Sequence, residues 1–229
     1  MGEFFTGVFF CIATILIYFL MKRIYTEYPH PFLLPIFTGT VVLVALLYYF
    51  DIPYESYMTG GQWIEHLLGP AVVALAYPLY NQRDMIRKFF KPLVISVLIG
   101  AMIGILSGYL FARLVKLDDF VILSLLPKSV TTPVAMEIAF ATGGVPSLAG
   151  IFVMVAGIGG ILTAPYLFRL FHIHDVFSKG VGTGCASHAI GTAKALENGE
   201  EEGAASSVSM TLSAIIVSLV VPLFTSFFF

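Results

Sequence analysis

Lys128, Ser129, Thr131 and Thr132 stand between two prolines, Pro127 and Pro133, within SLLPKSVTTPVAMEIAFATGG, residues 124–144. A cation and three hydroxyls beside freed backbone groups are a means of holding a small anion. Each proline removes a backbone donor and disfavours helix at the residue before it, so the backbone between them is expected to unwind. Pro133 suits the first turn of a second half-helix, whose amides add positive potential. A carboxylate-bearing ligand fits that combination. The alternative for Lys128 is a lysine snorkelling to an interface. Glu137, among Ala135, Met136, Ile138 and Phe140, is expected either to couple a proton or cation or to pair with Lys128 or another basic residue.

A second polar stretch, GVGTGCASHAIGTAKALENG, covers residues 180–199. Gly182, Gly184 and Gly191 allow close approach and unusual backbone angles, and Ser187 and His188 bring polar groups to the same place. Two roles stay open for His188: a substrate hydrogen bond or proton relay, and a satisfied structural histidine. Cys185 or Ser187 beside His188 lacks the orienting acid and the nucleophile elbow of a hydrolase, so no catalytic residue is expected. Gly182-Thr183-Gly184 follows no strand and makes no nucleotide loop. His172 and His174 are too few for a metal site, and no metal or cofactor is expected.

The elements that must position these residues are membrane helices. Of 229 residues, 58% are hydrophobic and only 11% charged, far from a soluble composition, which makes the chain an integral membrane protein. A net charge of −2, with basic residues next to spans, excludes a nucleic-acid surface. Residues 4–21, 32–50, 93–114, 148–171 and 204–228 are long and apolar enough to cross a bilayer. Segments 63–80, 120–142 and 181–196 are interrupted by proline or glycine. The expected fold is therefore an all-α, transporter-like polytopic bundle of about five full spans plus broken or re-entrant helices. It forms a single polytopic membrane domain, in which residues 1–61 make an N-terminal two-helix scaffold and 62–229 a repeat-containing core.

The repeat has an offset of 57 residues: Tyr109-Leu110-Phe111 recurs as Tyr166-Leu167-Phe168, Asp118 as Asp175, Phe120 as Phe177, and Gly100 as Gly157. A long span, a charged turn and a broken segment, repeated, are the sequence pattern of secondary transporters. Charge leaves open whether the copies are inverted or parallel, because Arg113 and Lys116 balance Arg169 and Lys179. Lys22, Arg23, Arg83, Arg87, Lys88 and Lys91 should face the cytoplasm and the loop 51–61 the outside, which puts the N-terminus outside provided that 63–80 crosses. Gly100, Gly104 and Gly108 give one helix a smooth face for contact within the chain or with a second copy in a homo-oligomer.

PKSVTTPVAMEIA (127–139) and GCASHAIGTAKA (184–195) are long strings, and on them the sequence resembles the LrgB/CidB family of bacterial membrane proteins over almost the whole chain. The resemblance implies a multi-pass protein of the bacterial cell membrane with a smaller LrgA/CidA-like, holin-like membrane partner. It implies one of two functions: transport of small monocarboxylates such as pyruvate, glycolate or glycerate, or antiholin-like modulation of murein hydrolase activity and autolysis. A modulator alone has little need of Lys128, Glu137 and His188 around broken helices, so the motifs favour transport.

Overall fold

A computed structural model describes residues 2–67, 70, 73 and 76–229. The chain forms two compact units, Met1–Ala71 and Val72–Phe229. In the first, α1 (Gly2–Glu27) is followed by a 3-10 turn (Pro31–Leu33), α2 (Pro35–Tyr49) and α3 (Tyr54–Glu65). The expected span 32–50 is thus shortened: Pro31 and Pro35 interrupt it, and the remaining 15-residue helix is about 22 Å long against a hydrocarbon core of about 30 Å. The expected loop 51–61 is largely helix. It packs on α1 so closely that a Cβ on Gly60 would collide with the Gly7 carbonyl, while one on Gly7 would lie 2.9 Å from the Thr59 carbonyl oxygen.

The second unit contains α4 (Ala76–Asn81), α5 (Arg83–Lys88), α6 (Phe90–Leu114), α7 (Asp119–Leu125), α8 (Thr132–Thr142), α9 (Pro146–Leu170), α10 (Val176–Asn198) and α11 (Glu200–Phe228). Among the described residues four helices, α1, α6, α9 and α11, are long and apolar enough to cross a membrane, where five such segments were expected, and the protein is an all-α polytopic membrane protein. Part of 63–80 lies outside the described residues, and with it the expected crossing.

Both broken segments are re-entrant. Ser124, in the last turn of α7, accepts a 2.7 Å hydrogen bond through Oγ from the amide of Val145, which caps α9. An unbroken helix would separate these residues by about 30 Å, so the chain turns back at residues 126–131. α10 turns at a single residue, His188, whose φ of 42° and ψ of −134° lie outside the helical region. A Cβ on Gly191 would sit 2.9 Å from the Thr183 carbonyl oxygen, whereas eight residues of continuous helix would separate them by about 12 Å. Residues 189–198 therefore fold back along 176–187, and α10 consists of two half-helices.

The open question about the repeat is answered by the same contacts. Along α6, Gly108 faces Leu125 and Lys128 while Gly104 faces Ser129, so α7 runs against α6. α9 runs against the first half of α10, with Gly160 at Ser187 and Phe168 at Gly182. Each hairpin enters and leaves on one side, so α6 and α9 point in opposite directions and the two copies are inverted. Asp118 and Asp175 occupy the N-cap positions of the corresponding half-helices, and Asp175 accepts there from the Ser178 amide. At Asp175, hydrogen bonds from Ser178 hold the carboxyl below its ordinary pKa.

Glycine is required where the second hairpin closes. Gly191→Leu is expected to cost about 1–3 kcal/mol through overpacking and to lower the thermal unfolding midpoint of the purified protein in detergent. Gly159→Ala, where a Cβ would meet nothing within 4 Å, should leave the midpoint unchanged or raise it.

Candidate functional site at the meeting of two hairpins

The two hairpin tips converge on one face of α6. Gly100 faces Cys185 of the second tip, 3.6 Å from a Cβ built on the glycine, and Gly104 faces Ser129 of the first at 3.1 Å. One helical turn separates these glycines, and side chains there would push the tips off the helix.

Lys128 Nζ donates a 2.7 Å hydrogen bond to the Gly104 carbonyl. It would lie 3.4 Å from a Cβ on Gly108. The ammonium is thus held across the glycine face in the middle of α6 rather than extended toward a helix end. Beside it opens a cavity of about 800 Å³ between α6, the first half of α10, the first tip and Ala156 of α9. From Pro92 past Ser96 to Gly104, its wall follows α6 for about 18 Å. Phe89 and Phe177, with ring centroids 4.5 Å apart, stand at the end of the cavity where α6 begins. Among the described residues Lys128 is the one charged residue in its lining, and Ser96, Ser129 and Ser178 contribute hydroxyls.

The residues expected from sequence to hold a ligand divide into two sets. Lys128 and Ser129 line the cavity, as does the hinge residue Gly182. Thr131, Ser187 and His188 are buried behind it. Thr131 caps α8, and its Oγ1, like Ser187 Oγ, has no hydrogen-bond partner among the described residues. Thr132 is half-buried, with its methyl 3.5 Å from a Cβ on Gly150. His188 is held at the turn by a 2.9 Å contact between Nε2 and the Val153 carbonyl. A carbonyl can only accept, so Nε2 carries the proton.

Glu137 lies on the exposed side of α8 and makes no ion pair with Lys128 among the described residues. Pro127 is fully buried at the first turn-back, and Pro133 occupies the first turn of α8. Gly184 packs so tightly on α11 that a Cβ would collide with the Ser206 carbonyl and Ser209 Oγ, and Gly191 closes the second hairpin. Among the described residues no group of three His, Cys, Asp or Glu side chains could hold a metal ion.

Sequence reasoning did not assign Ser96, Phe89 or Phe177 to the site, considered Cys185 only as a hydrolase nucleophile, and treated Gly100 and Gly104 only as a packing face. The repeat offset carried a signal for one of them: Cys185 is the counterpart of Lys128, and both line the cavity.

The model of the family described as LrgB-like matches residues 14–227. The chain is 48% identical over 219 residues to the uncharacterized protein YxaC of Bacillus subtilis (93% of this chain, 95% of the relative). It is 35% identical over 229 residues to the holin-like protein CidB of Staphylococcus aureus, covering 100% of both chains. No solved structure matches the chain at a significant level.

At position 188 the usual ranking of residues should reverse. In a helix interior alanine outranks glycine by about 1 kcal/mol. At a φ of 42° the glycine carries no Cβ strain. His188→Ala is therefore expected to unfold at a lower temperature than His188→Gly, and both below the unsubstituted protein, because each leaves the Val153 carbonyl without its donor.

Proposed function

The chain belongs to the LrgB-like family, and from that premise and the geometry of the cavity we propose that it is a secondary transporter of small monocarboxylates of the pyruvate, glycolate and glycerate class. The observation that carries this reading is Lys128, held at mid-helix depth by Gly104 at the inner end of a cavity bounded by two re-entrant hairpins. A single cation matches a single carboxylate, and a second carboxylate would meet no further positive charge among the described residues of the lining. Ser129 offers a hydroxyl to the keto or hydroxyl oxygen, and the amides at the start of α8 add positive potential. Thr131, Thr132, Ser187 and His188 act from behind the cavity wall, and Glu137 or His188 carries a coupling proton.

The protein sits in the bacterial cell membrane and works with a small LrgA/CidA-like, holin-like membrane partner. Arg83, Arg87, Lys88 and Lys91 precede or begin α6, and Arg169 ends α9, so the end of the core where the cavity opens is its more basic end. By the positive-inside rule that end faces the cytoplasm, and Lys22 and Arg23 near the end of α1 put the N-terminus outside. The proposal includes no catalytic step: His188 Nε2 is engaged by Val153, and Ser187 is packed against Gly160.

Relatives named holin-like favour a second reading, a scaffold that modulates a holin-like pore and autolysis without transport of its own. Uptake of labelled pyruvate, lactate, glycolate and glycerate into proteoliposomes, with and without the small partner, separates the two. The transporter should show saturable uptake of at least one, and Lys128→Ala should reduce it at least about 100-fold, the equivalent of 2.7 kcal/mol or more, while assembly persists. A scaffold would transport none of them and would keep its lysis phenotype after the same substitution. Absence of saturable uptake in both preparations would sink the transport reading.

A further inference from the structure

The cavity reaches the hairpin tips from one end of the core, and at the other end the corresponding space is filled. Inversion relates the two ends. Under the 57-residue offset, Pro92 and Ser96 on α6 correspond to Ala149 and Val153 on α9, while Phe177 and Val181 on α10 correspond to Phe120 and Ser124 on α7. The first set borders open space. In the second, Ala149, Val153 and Ser124 are fully buried, and Ile122, Leu123, Ala149 and Val153 belong to one apolar cluster.

Two halves of nearly equivalent chain are therefore packed in two different ways, α6 standing off the second hairpin and α9 closed on the first. The closed side joins α7 to the start of α9. Its polar fastening is the bond from the Val145 amide to Ser124 Oγ, and Gly144 lies against the Ser124 backbone, where a Cβ would come within 2.9 Å of the amide nitrogen. On the α9 side its apolar residues are small, Ala149 and Val153, and α7 packs Ile122 and Leu123 into the same cluster. Because the copies share a fold, each can adopt the packing that the other now has, at a free-energy difference set by side chains alone.

We infer that the hairpin tips are reached from the opposite membrane face through a second vestibule, lined by Ala149, Val153, Phe120 and Ser124, that opens as the first one closes. Lys128 and Cys185 exchange positions under the repeat and border both vestibules, so a ligand at Lys128 stays in place while access changes sides. Opening breaks the bond between Val145 and Ser124 and separates α7 from α9, while the first half of α10 closes on α6 behind Phe89 and Phe177. The inference rests on the transport reading and gives it a path.

Thiol accessibility tests it independently of uptake. Single cysteines at Ser96, Ala149, Val153 and Ala135 are introduced into the full chain carrying Cys11→Ser and Cys185→Ser, and reconstituted vesicles are treated with a membrane-impermeant methanethiosulfonate from either side. Ser96→Cys should react from the face where α6 begins. Val153→Cys and Ala149→Cys should react from the opposite face, severalfold more than Ala135→Cys, which is fully buried on α8 and has no counterpart in the cavity lining. Two positions are used so that misfolding of one variant does not decide the result. If both react no more than Ala135→Cys from that face, with and without 10 mM-scale pyruvate, glycolate or glycerate, on the order of ordinary saturating concentrations, the second vestibule is overturned even where uptake is observed. Labelling of both without uptake of any monocarboxylate supports the vestibule and refutes the substrate class.

Discussion

A peptide group that leaves a helix inside a bilayer has no water to turn to, so each turn-back within the membrane must be enclosed by protein or by a wet cavity. This chain turns back twice, at 126–131 and at His188, and the rest of the core serves those two points. The first turn is closed by Pro127, which offers no amide to satisfy, and ends at Thr131 in the N-cap position of α8. The second is closed by one residue, with its ring on the Val153 carbonyl and its own carbonyl accepting from Thr192 Oγ1 at 2.9 Å.

Glycine makes the enclosure tight. Gly184 and Gly180 bring the second hairpin onto the α11 backbone, Gly157 and Gly160 accept His188 and Ser187 into α9, and Gly100 and Gly104 let both tips reach α6. In lipid, where apolar side chains gain nothing by leaving the solvent, such close backbone approach is the main source of helix association. Polar contacts then add direction: Thr192 and Ser206 hydroxyls meet at 2.9 Å between the returning half of α10 and α11. A lysine can be kept at mid-helix depth because a helical carbonyl, unencumbered by a side chain at Gly104, is there to receive it.

The cavity follows from an imbalance between the two inverted copies. The α6 side of the tips is open, and the α9 side is packed. A symmetric enclosure would have left Lys128 either sealed from both faces or exposed to both. The asymmetric one gives it a route to one face, with its inverted copy folded away at the other.

Sequence alone determined that this is a membrane protein, that 120–142 and 181–196 are broken, that Lys128 and His188 lie within them, and that a 57-residue repeat links them. These features were legible because lipid penalises charge, proline and glycine runs by composition, without regard to what lies across the fold. The length of α2 was misjudged because hydropathy passes over the stop that Pro31 and Pro35 impose. Helix in α3 was missed because polar residues hid a backbone contact between Gly7 and Gly60. Only the tertiary structure decided that the copies are inverted, that Lys128 and Ser129 face the cavity while His188 and Ser187 stand behind it, and that Glu137 points away. Those outcomes depend on which way each broken helix leaves its turn, a choice made by contacts between residues far apart in the chain, such as Ser124 with Val145 and Gly157 with His188.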